Sequence, residues 1–304
     1  MRLRHIVEVG QFDRPFVEDI FKRADHMRSI PRAETPLQGR ILATLFYEPS
    51  TRTRLSFESA MMRLGGHVIS TENAREFSSA IKGETVEDTV RIVAGYADAI
   101  VIRHFEQGAA ARAASIAEVP IINGGDGPGE HPTQALLDLY TIKHELNRID
   151  NLKVALVGDL RFGRAARSLA LLFRLTTGTE LFFVSPPNVP MGDDVRQALS
   201  DQGIGFRDET NLLGVLPEVD VVYQTRIQRE RFNSTADYEA ARGIYIIGEE
   251  AMSKMKPGAI LLHPLPRVDE IAPEVDSDPR AAYFRQAHNG VFIRMALLDL
   301  LLNY

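Results

Sequence analysis

Short apolar runs alternate with helical repeats along almost the whole chain, and this alternation limits the folds open to it. Ile41–Phe46, His67–Ser70, Ala99–Arg103 and Pro120–Asn123 read as strands in a first series. Leu152–Val157, Leu181–Val184, Val219–Tyr223 and Ala259–Leu262 read as strands in a second. The segments between them carry helical spacing. Phe57, Ala60, Met61 and Leu64 fall at i, i+3, i+4 and i+7, one face of a helix. Strands separated by helices imply parallel sheets covered on both faces. The expected class is α/β, with two doubly wound parallel-sheet domains. Ligands of such sheets bind beyond the carboxyl ends of the strands.

The first strand runs into Tyr47-Glu48-Pro49-Ser50-Thr51-Arg52-Thr53-Arg54. Pro49 ends the strand. Ser50, Thr51 and Thr53 fall at the start of the next helix, among N–H groups that lack an intrahelical partner. With Arg52 and Arg54 they make an anion site suited to a phosphate. The same residues also suit an ordinary Ser/Thr cap beside two solvated arginines. Arg103 ends another strand, and this shared position favours the anion reading.

Gly124 to Gly129 is the most glycine-rich passage and leads into His131-Pro132-Thr133-Gln134. A domain boundary is expected here. A neutral His131 before a helix is suited to donating a hydrogen bond to a carbonyl oxygen; the alternative is that His131 and Gln134 only satisfy loop backbone. Gly158–Arg164 superficially resembles a dinucleotide-binding turn. It lacks G-x-G-x-x-G, and no acidic residue follows Val184 to hold a ribose. Arg164 at a helix start suits a carboxylate instead. Two later strands end in the polar clusters Gln224–Glu230 and His263–Arg267. Glu72–Lys82 is polar and weakly periodic, and reads as a long mobile loop. A closing helix from about Pro279 to Leu302 is apolar around much of its circumference, as a helix between domains would be.

A length of 304 residues fits two domains or one large one. The chain has no cysteine, so it has no disulfide, thiol nucleophile or thiolate metal site. Its net charge of −6 opposes general nucleic-acid binding. No apolar run reaches the ~18 residues of a membrane span, and the N-terminal residues lack the apolar core of a signal peptide. The cytoplasm is the expected compartment.

Ser50-Thr-Arg-Thr-Arg54, His131-Pro-Thr-Gln134 and His263-Pro-Leu-Pro-Arg267, in this order, resemble the catalytic chains of the aspartate carbamoyltransferases. The likeness covers essentially the whole length. The S-T-R-T-R turn is common to carbamoyltransferases in general. Thr225-Arg226-Ile-Gln228-Arg-Glu230 and His263-Pro-Leu-Pro266 favour aspartate as acceptor. The ornithine enzymes carry a cysteine in the equivalent of the H-P-L-P loop, and a Ser-Met-Gly motif that is missing here. An ornithine or related carbamoyltransferase, a non-catalytic scaffold of the same fold and a dinucleotide-dependent oxidoreductase are the alternatives.

The resemblance implies carbamoyl transfer from carbamoyl phosphate to L-aspartate, with no cofactor and no metal. It implies a carbamoyl-phosphate domain over 1–132, with 288–304 packing back on it, an aspartate domain over 133–287, and interdomain helices joining the two. Ser50, Thr51, Arg52, Thr53, Ser78, Lys82, Arg103, His131, Gln134, Pro264 and Leu265 would bind carbamoyl phosphate. Arg164, Arg226, Gln228, Lys82 and Leu265 would bind aspartate. Arg52, Thr53, Lys82, Arg103 and His131 would be catalytic. The implied assembly is a homotrimer with active sites at subunit interfaces, Ser78 and Lys82 coming from the neighbouring chain. The likeness leaves room for a separate regulatory chain and implies no nucleic-acid or membrane partner. Arg161-Phe162 stands where the family often has Lys-Tyr, a pair tied to domain closure in regulated members.

Overall fold

The computed structural model describes residues 4–31, 33–77, 79–229 and 234–303. Ser78 and Glu230, both singled out above, lie outside them. The chain divides into two compact units, 1–137 with 288–304 and 138–287.

In the first unit, helix α1 (Arg14–Ser29) opens as the sequence requires, with the Asp13 carboxylate accepting from the Phe16 N–H at 2.8 Å. Strands β1 (Ile41–Phe46), β2 (His67–Glu72), β3 (Ala99–His104) and β4 (Ile121–Asp126) follow. They form a parallel sheet in the order β2-β1-β3-β4. Between them run α2 (Thr51–Arg63), α3 (Ala74–Phe77), α4 (Val86–Val93) and α5 (Ala109–Ile116). Ala43, Leu45, Ile100 and Ile102 pack in one core with Val90, Ala110 and Ala113. The 288–304 segment belongs to this unit, with Arg294 lying over the Phe57 ring of α2, 4.9 Å from its centroid.

The glycine-rich passage belongs to the first unit. Gly124 and Gly125 are buried residues of β4, and the turn beyond it needs glycine at 127. Gly127 has φ +52°, and a Cβ there would meet the Phe105 carbonyl oxygen at 2.3 Å. The division between units falls later, inside helix α6 (Pro132–Leu146) and again inside the closing helix Tyr283–Leu302.

In the second unit, β5 (Lys153–Val157), β6 (Glu180–Val184), β7 (Gly205–Glu209), β8 (Val221–Gln224) and β9 (Ile260–Leu262) form a parallel sheet in the order β7-β6-β5-β8-β9. Helix α7 (Arg164–Leu172) follows β5. Val157, Phe182, Val184, Val222, Ile247 and Leu261 share its core. Strand β7 has no apolar run and escapes sequence reasoning. It is an edge strand with no fully buried residue, where polar and charged side chains are favoured.

The stretch after Glu72 is also more ordered than its composition suggests. It folds into α3 and a short 3-10 turn, Ser79–Lys82. Asn73 starts this fold from a left-handed conformation (φ +54°), its amide donating to Glu76 Oε2 at 2.8 Å. Among the described residues, no helix is long and apolar enough to cross a membrane.

Candidate functional site

Each sheet reverses its strand order once, between β1 and β3 in the first unit and between β5 and β8 in the second. Such switch points open crevices beyond the carboxyl ends of the strands. Of the residues singled out from the sequence, Ser50–Arg54 and Arg103 lie at the first of these places and Arg164 and Arg226 at the second.

In the first unit, Ser50 is the N-cap of α2, in extended conformation (φ −161°, ψ 93°), but its side chain makes no capping hydrogen bond. An ordinary cap would turn its oxygen onto a nearby N–H. The first N–H groups of α2 are therefore left to an outside acceptor, which suits an anion. Thr53 is buried, whereas Arg52 is exposed. Arg54 is otherwise engaged: its guanidinium lies 2.8 Å from Glu72 and 3.6 Å from Glu58, and it donates to Ser70 Oγ at 3.2 Å.

Arg103 stands beside this turn, because β3 pairs with β1 in the register Phe46↔Arg103. The Tyr47 N–H closes the corner by donating to the Arg103 carbonyl at 2.8 Å. The buried Arg103 guanidinium donates to the Gly124 carbonyl at 3.1 Å and lies 3.5 Å from Glu48. His131, also buried, follows β4 and precedes α6. Its carbonyl accepts from the N–H groups of Gln134 and Ala135 at 3.0 and 3.1 Å. The Ser50–Arg54 turn follows β1, Arg103 is the penultimate residue of β3, and the His131–Gln134 segment follows β4; these three strands are neighbours. Lys82 ends the 3-10 turn after β2 and is exposed.

The second unit repeats the pattern. Arg164 begins α7 after β5, Arg226 and Gln228 follow β8, and Pro264 and Leu265 follow β9. Those strands are neighbours in the order β5-β8-β9. Arg226 is in the wall of a cavity of about 90 Å³, with Gln224, Arg229, Tyr238 and Arg242; Arg164 and Gln228 are not in that wall.

Gly158 and Asp159 organise this end of the sheet. Gly158 has φ +112°, and a Cβ there would lie 2.4 Å from the Thr225 carbonyl oxygen. This glycine lets the turn after β5 press against the residue before Arg226; close approach to protein backbone explains it without a dinucleotide. Asp159 is fully buried, and its Oδ1 accepts from the Phe162 N–H at 2.9 Å. Burial pushes its carboxyl up to about 6, against the N–H groups of Phe162, Gln228 and Arg161 and the charge of Arg226. One buried carboxylate is thereby tied to both arginine-bearing turns. Sequence reasoning passed over Asp159, although its place between Gly158 and Gly163 in a strand-to-helix turn was a signal. Glu48, Glu58 and Glu72, which orient the arginines, gave none.

Two family models match the chain. Residues 4–144 match the aspartate/ornithine carbamoyltransferase carbamoyl-phosphate-binding domain, and residues 150–301 match the aspartate/ornithine-binding domain. The chain is 58% identical over 304 residues to the chloroplastic aspartate carbamoyltransferase of Arabidopsis thaliana, covering 99% of this chain and 78% of that one. It is 47% identical to the aspartate carbamoyltransferase catalytic subunit of Methanothrix thermoacetophila, covering 99% of each. Among solved structures it is similar to Trypanosoma cruzi aspartate transcarbamoylase bound to N-(phosphonacetyl)-L-aspartic acid. The TM-score is 0.92 and the identity 41%, over 99% of this chain and 96% of that one. The plant relative is named chloroplastic, so the expected cytoplasmic location does not follow from the likeness.

Proposed function

We propose a function from one premise: this chain belongs to the aspartate/ornithine carbamoyltransferase family. It transfers the carbamoyl group of carbamoyl phosphate to the amino group of L-aspartate, giving N-carbamoyl-L-aspartate and phosphate in pyrimidine biosynthesis. The observation that carries the acceptor is near-complete coverage of this chain by relatives named for aspartate, at 58% and 47% identity.

The first cluster binds carbamoyl phosphate. Its phosphate takes the N–H groups and hydroxyls of Ser50, Thr51 and Thr53, with Arg52 as the cation. The uncommitted Ser50 hydroxyl supports this assignment. Arg103, His131 and Thr53 face the carbonyl oxygen, and Gln134 with the Pro264 and Leu265 carbonyls takes the carbamoyl NH2. The second cluster binds aspartate, with Arg164, Arg226 and Gln228 on its two carboxylates.

The chemistry needs no protein nucleophile. The neutral amine of aspartate adds to the carbonyl carbon, and negative charge moves to the carbonyl oxygen. Fixed donors aimed at that oxygen stabilise the tetrahedral intermediate. The C–O bond to phosphate then breaks, and the departing phosphate carries off the amine proton. Positioning supplies the remainder of the rate.

The homotrimer, with Ser78 and Lys82 reaching the neighbouring subunit's site, is part of this proposal. The exposure of Lys82 in its own chain supports it. A cytoplasmic location belongs to it as well, which cell fractionation tests; the proposal leaves room for a separate regulatory chain, which mass in solution tests.

The deciding experiment is a product assay on the purified chain, with carbamoyl phosphate and either L-aspartate or L-ornithine. Carbamoyl-aspartate alone is expected. Product only from ornithine, or from neither, overturns the assignment.

A further inference from the structure

Behind Leu265 lies a line of buried polar groups that the reaction above does not use. His263 follows β9 and is 2% exposed. Its Nδ1 accepts from the Leu265 N–H at 2.8 Å. A ring nitrogen that accepts carries no hydrogen, so in this neutral ring the proton is on Nε2. Nε2 lies 2.7 Å from Glu270 Oε1 and donates to it. The other Glu270 oxygen accepts from the Val268 N–H at 3.1 Å.

The line continues inward. The His263 backbone N–H donates to Gln286 Oε1 at 2.9 Å, and the Gln286 amide donates to Asp138 Oδ1 at 2.6 Å. The Tyr223 hydroxyl donates to Asp138 Oδ2 at 2.7 Å. Gln286, Asp138 and Tyr223 are all at most 1% exposed. Buried networks with their bonds made resist rearrangement.

Leu265 is the residue that needs such support. Its φ is +52°, in the left-handed region that L side chains avoid, and it is half-exposed at the turn. Surroundings must hold a residue there, and such residues cluster at functional sites.

We propose that Glu270, acting through His263, is a positioning residue for carbamoyl transfer. It fixes the imidazole tautomer that accepts from the Leu265 N–H, and so aims the Pro264 and Leu265 carbonyls. The inference rests on the substrate role given to that turn above.

The test uses the full-length chain, with thermal melting of each variant recorded beside its kinetics. Glu270→Leu is expected to lower kcat/KM at least tenfold while the protein stays folded. Glu270→Gln keeps an oxygen for the Nε2 hydrogen but turns its NH2 onto the Val268 N–H, and is expected to fall between the parent and Glu270→Leu. His263→Asn supplies an Asx-turn oxygen to the N–H two residues on. It is expected to retain most activity where His263→Ala does not. Added to the His263→Asn variant, Glu270→Gln is expected to have no further effect.

Amide exchange over residues 260–268 is read in the same samples and needs no turnover. It is expected to rise in Glu270→Leu and His263→Ala, and to stay at the parent level in His263→Asn. Parent-like kinetics and exchange in Glu270→Leu would overturn the proposal. So would His263→Asn behaving as His263→Ala. A parent that makes no carbamoyl-aspartate defeats the functional reading instead, and the exchange arm still decides the positioning role.

Discussion

Arg54 Nη2 lies 2.8 Å from Glu72 Oε2, joining the start of α2 to the end of β2. Arg52, two residues earlier, is exposed. Two arginines of one S-T-R-T-R turn therefore have different surroundings.

Arg52→Ala is expected to lower kcat/KM by about 10²–10³, the loss of one charge-stabilising donor at roughly 2.7–4 kcal/mol. Because the side chain is exposed, stability should move by no more than about 0.5 kcal/mol. Steady-state kinetics beside a urea unfolding curve checks both halves. Near-normal turnover would sink the phosphate role.

Arg54→Ala reverses that balance. It leaves Glu58 and Glu72 without their shared cation and is expected to lower stability by about 1 kcal/mol, an amount typical of partly exposed pairs. Its kinetic loss should be the smaller of the two. A variant of unchanged stability that is as inactive as Arg52→Ala would refute this division.

Asp159 gives a pH signature. Its folded carboxyl sits at about 6, against an ordinary value of 3.8. The folded protein thus prefers the protonated acid. That stability is complete below pH 4 and is lost as pH rises through 6. The shift corresponds to about 3 kcal/mol. Asp159→Asn keeps an acceptor for the Phe162 N–H and carries no charge. Its stability relative to the parent should therefore climb by up to about 3 kcal/mol between pH 4 and 7. Denaturant midpoints of both proteins at the two pH values test this, and a constant difference would contradict it.

Gly158→Ala is expected to cost at least about 2 kcal/mol, since the new Cβ meets Thr225 backbone at 2.4 Å and φ is +112°. It should also raise KM for aspartate, because Thr225 precedes Arg226. Gly203→Ala is the control: φ is +68° but nothing lies within 4 Å, so only about 1 kcal/mol is at stake. Equal losses in the two would discount the close approach.

Shared sites are tested by mixing. Arg52→Ala and Lys82→Ala chains, each expected to be strongly impaired alone, should regain activity after subunit exchange. Hybrid trimers would contain some sites with both residues intact. No recovery in verified hybrids counts against a trimer that shares sites.

Most strands and the turn into α2 were legible because burial and helix starts leave local marks. Ile41–Phe46 is apolar since both sheet faces are covered, and Ser50–Arg54 is polar since a helix begins there. The edge strand Gly205–Glu209 was not legible, because an edge can be built from charged residues. Arg54 looked like a second phosphate ligand because the carboxylate that claims it, Glu72, is well separated in sequence and adjacent only across the sheet. The glycines at 124, 125 and 127 suggested a domain boundary because strand ends and boundaries take small residues for different reasons. Asp159 was hidden for a similar cause: its role depends on Gln228 and Arg226, which only the fold brings near.

Ser50 opens its helix without spending its hydroxyl on it. A side-chain cap there would be worth about 1 kcal/mol, and in the function proposed above that task falls to an incoming anion. On the proposed assignment, carbamoyl phosphate is a folding ligand as well as a reactant. The melting temperature of the protein should rise with its supply, by the mass-action law that governs any ligand selective for the folded state. When the metabolite runs low, the first turn of α2 is where fraying and proteolytic attack should begin.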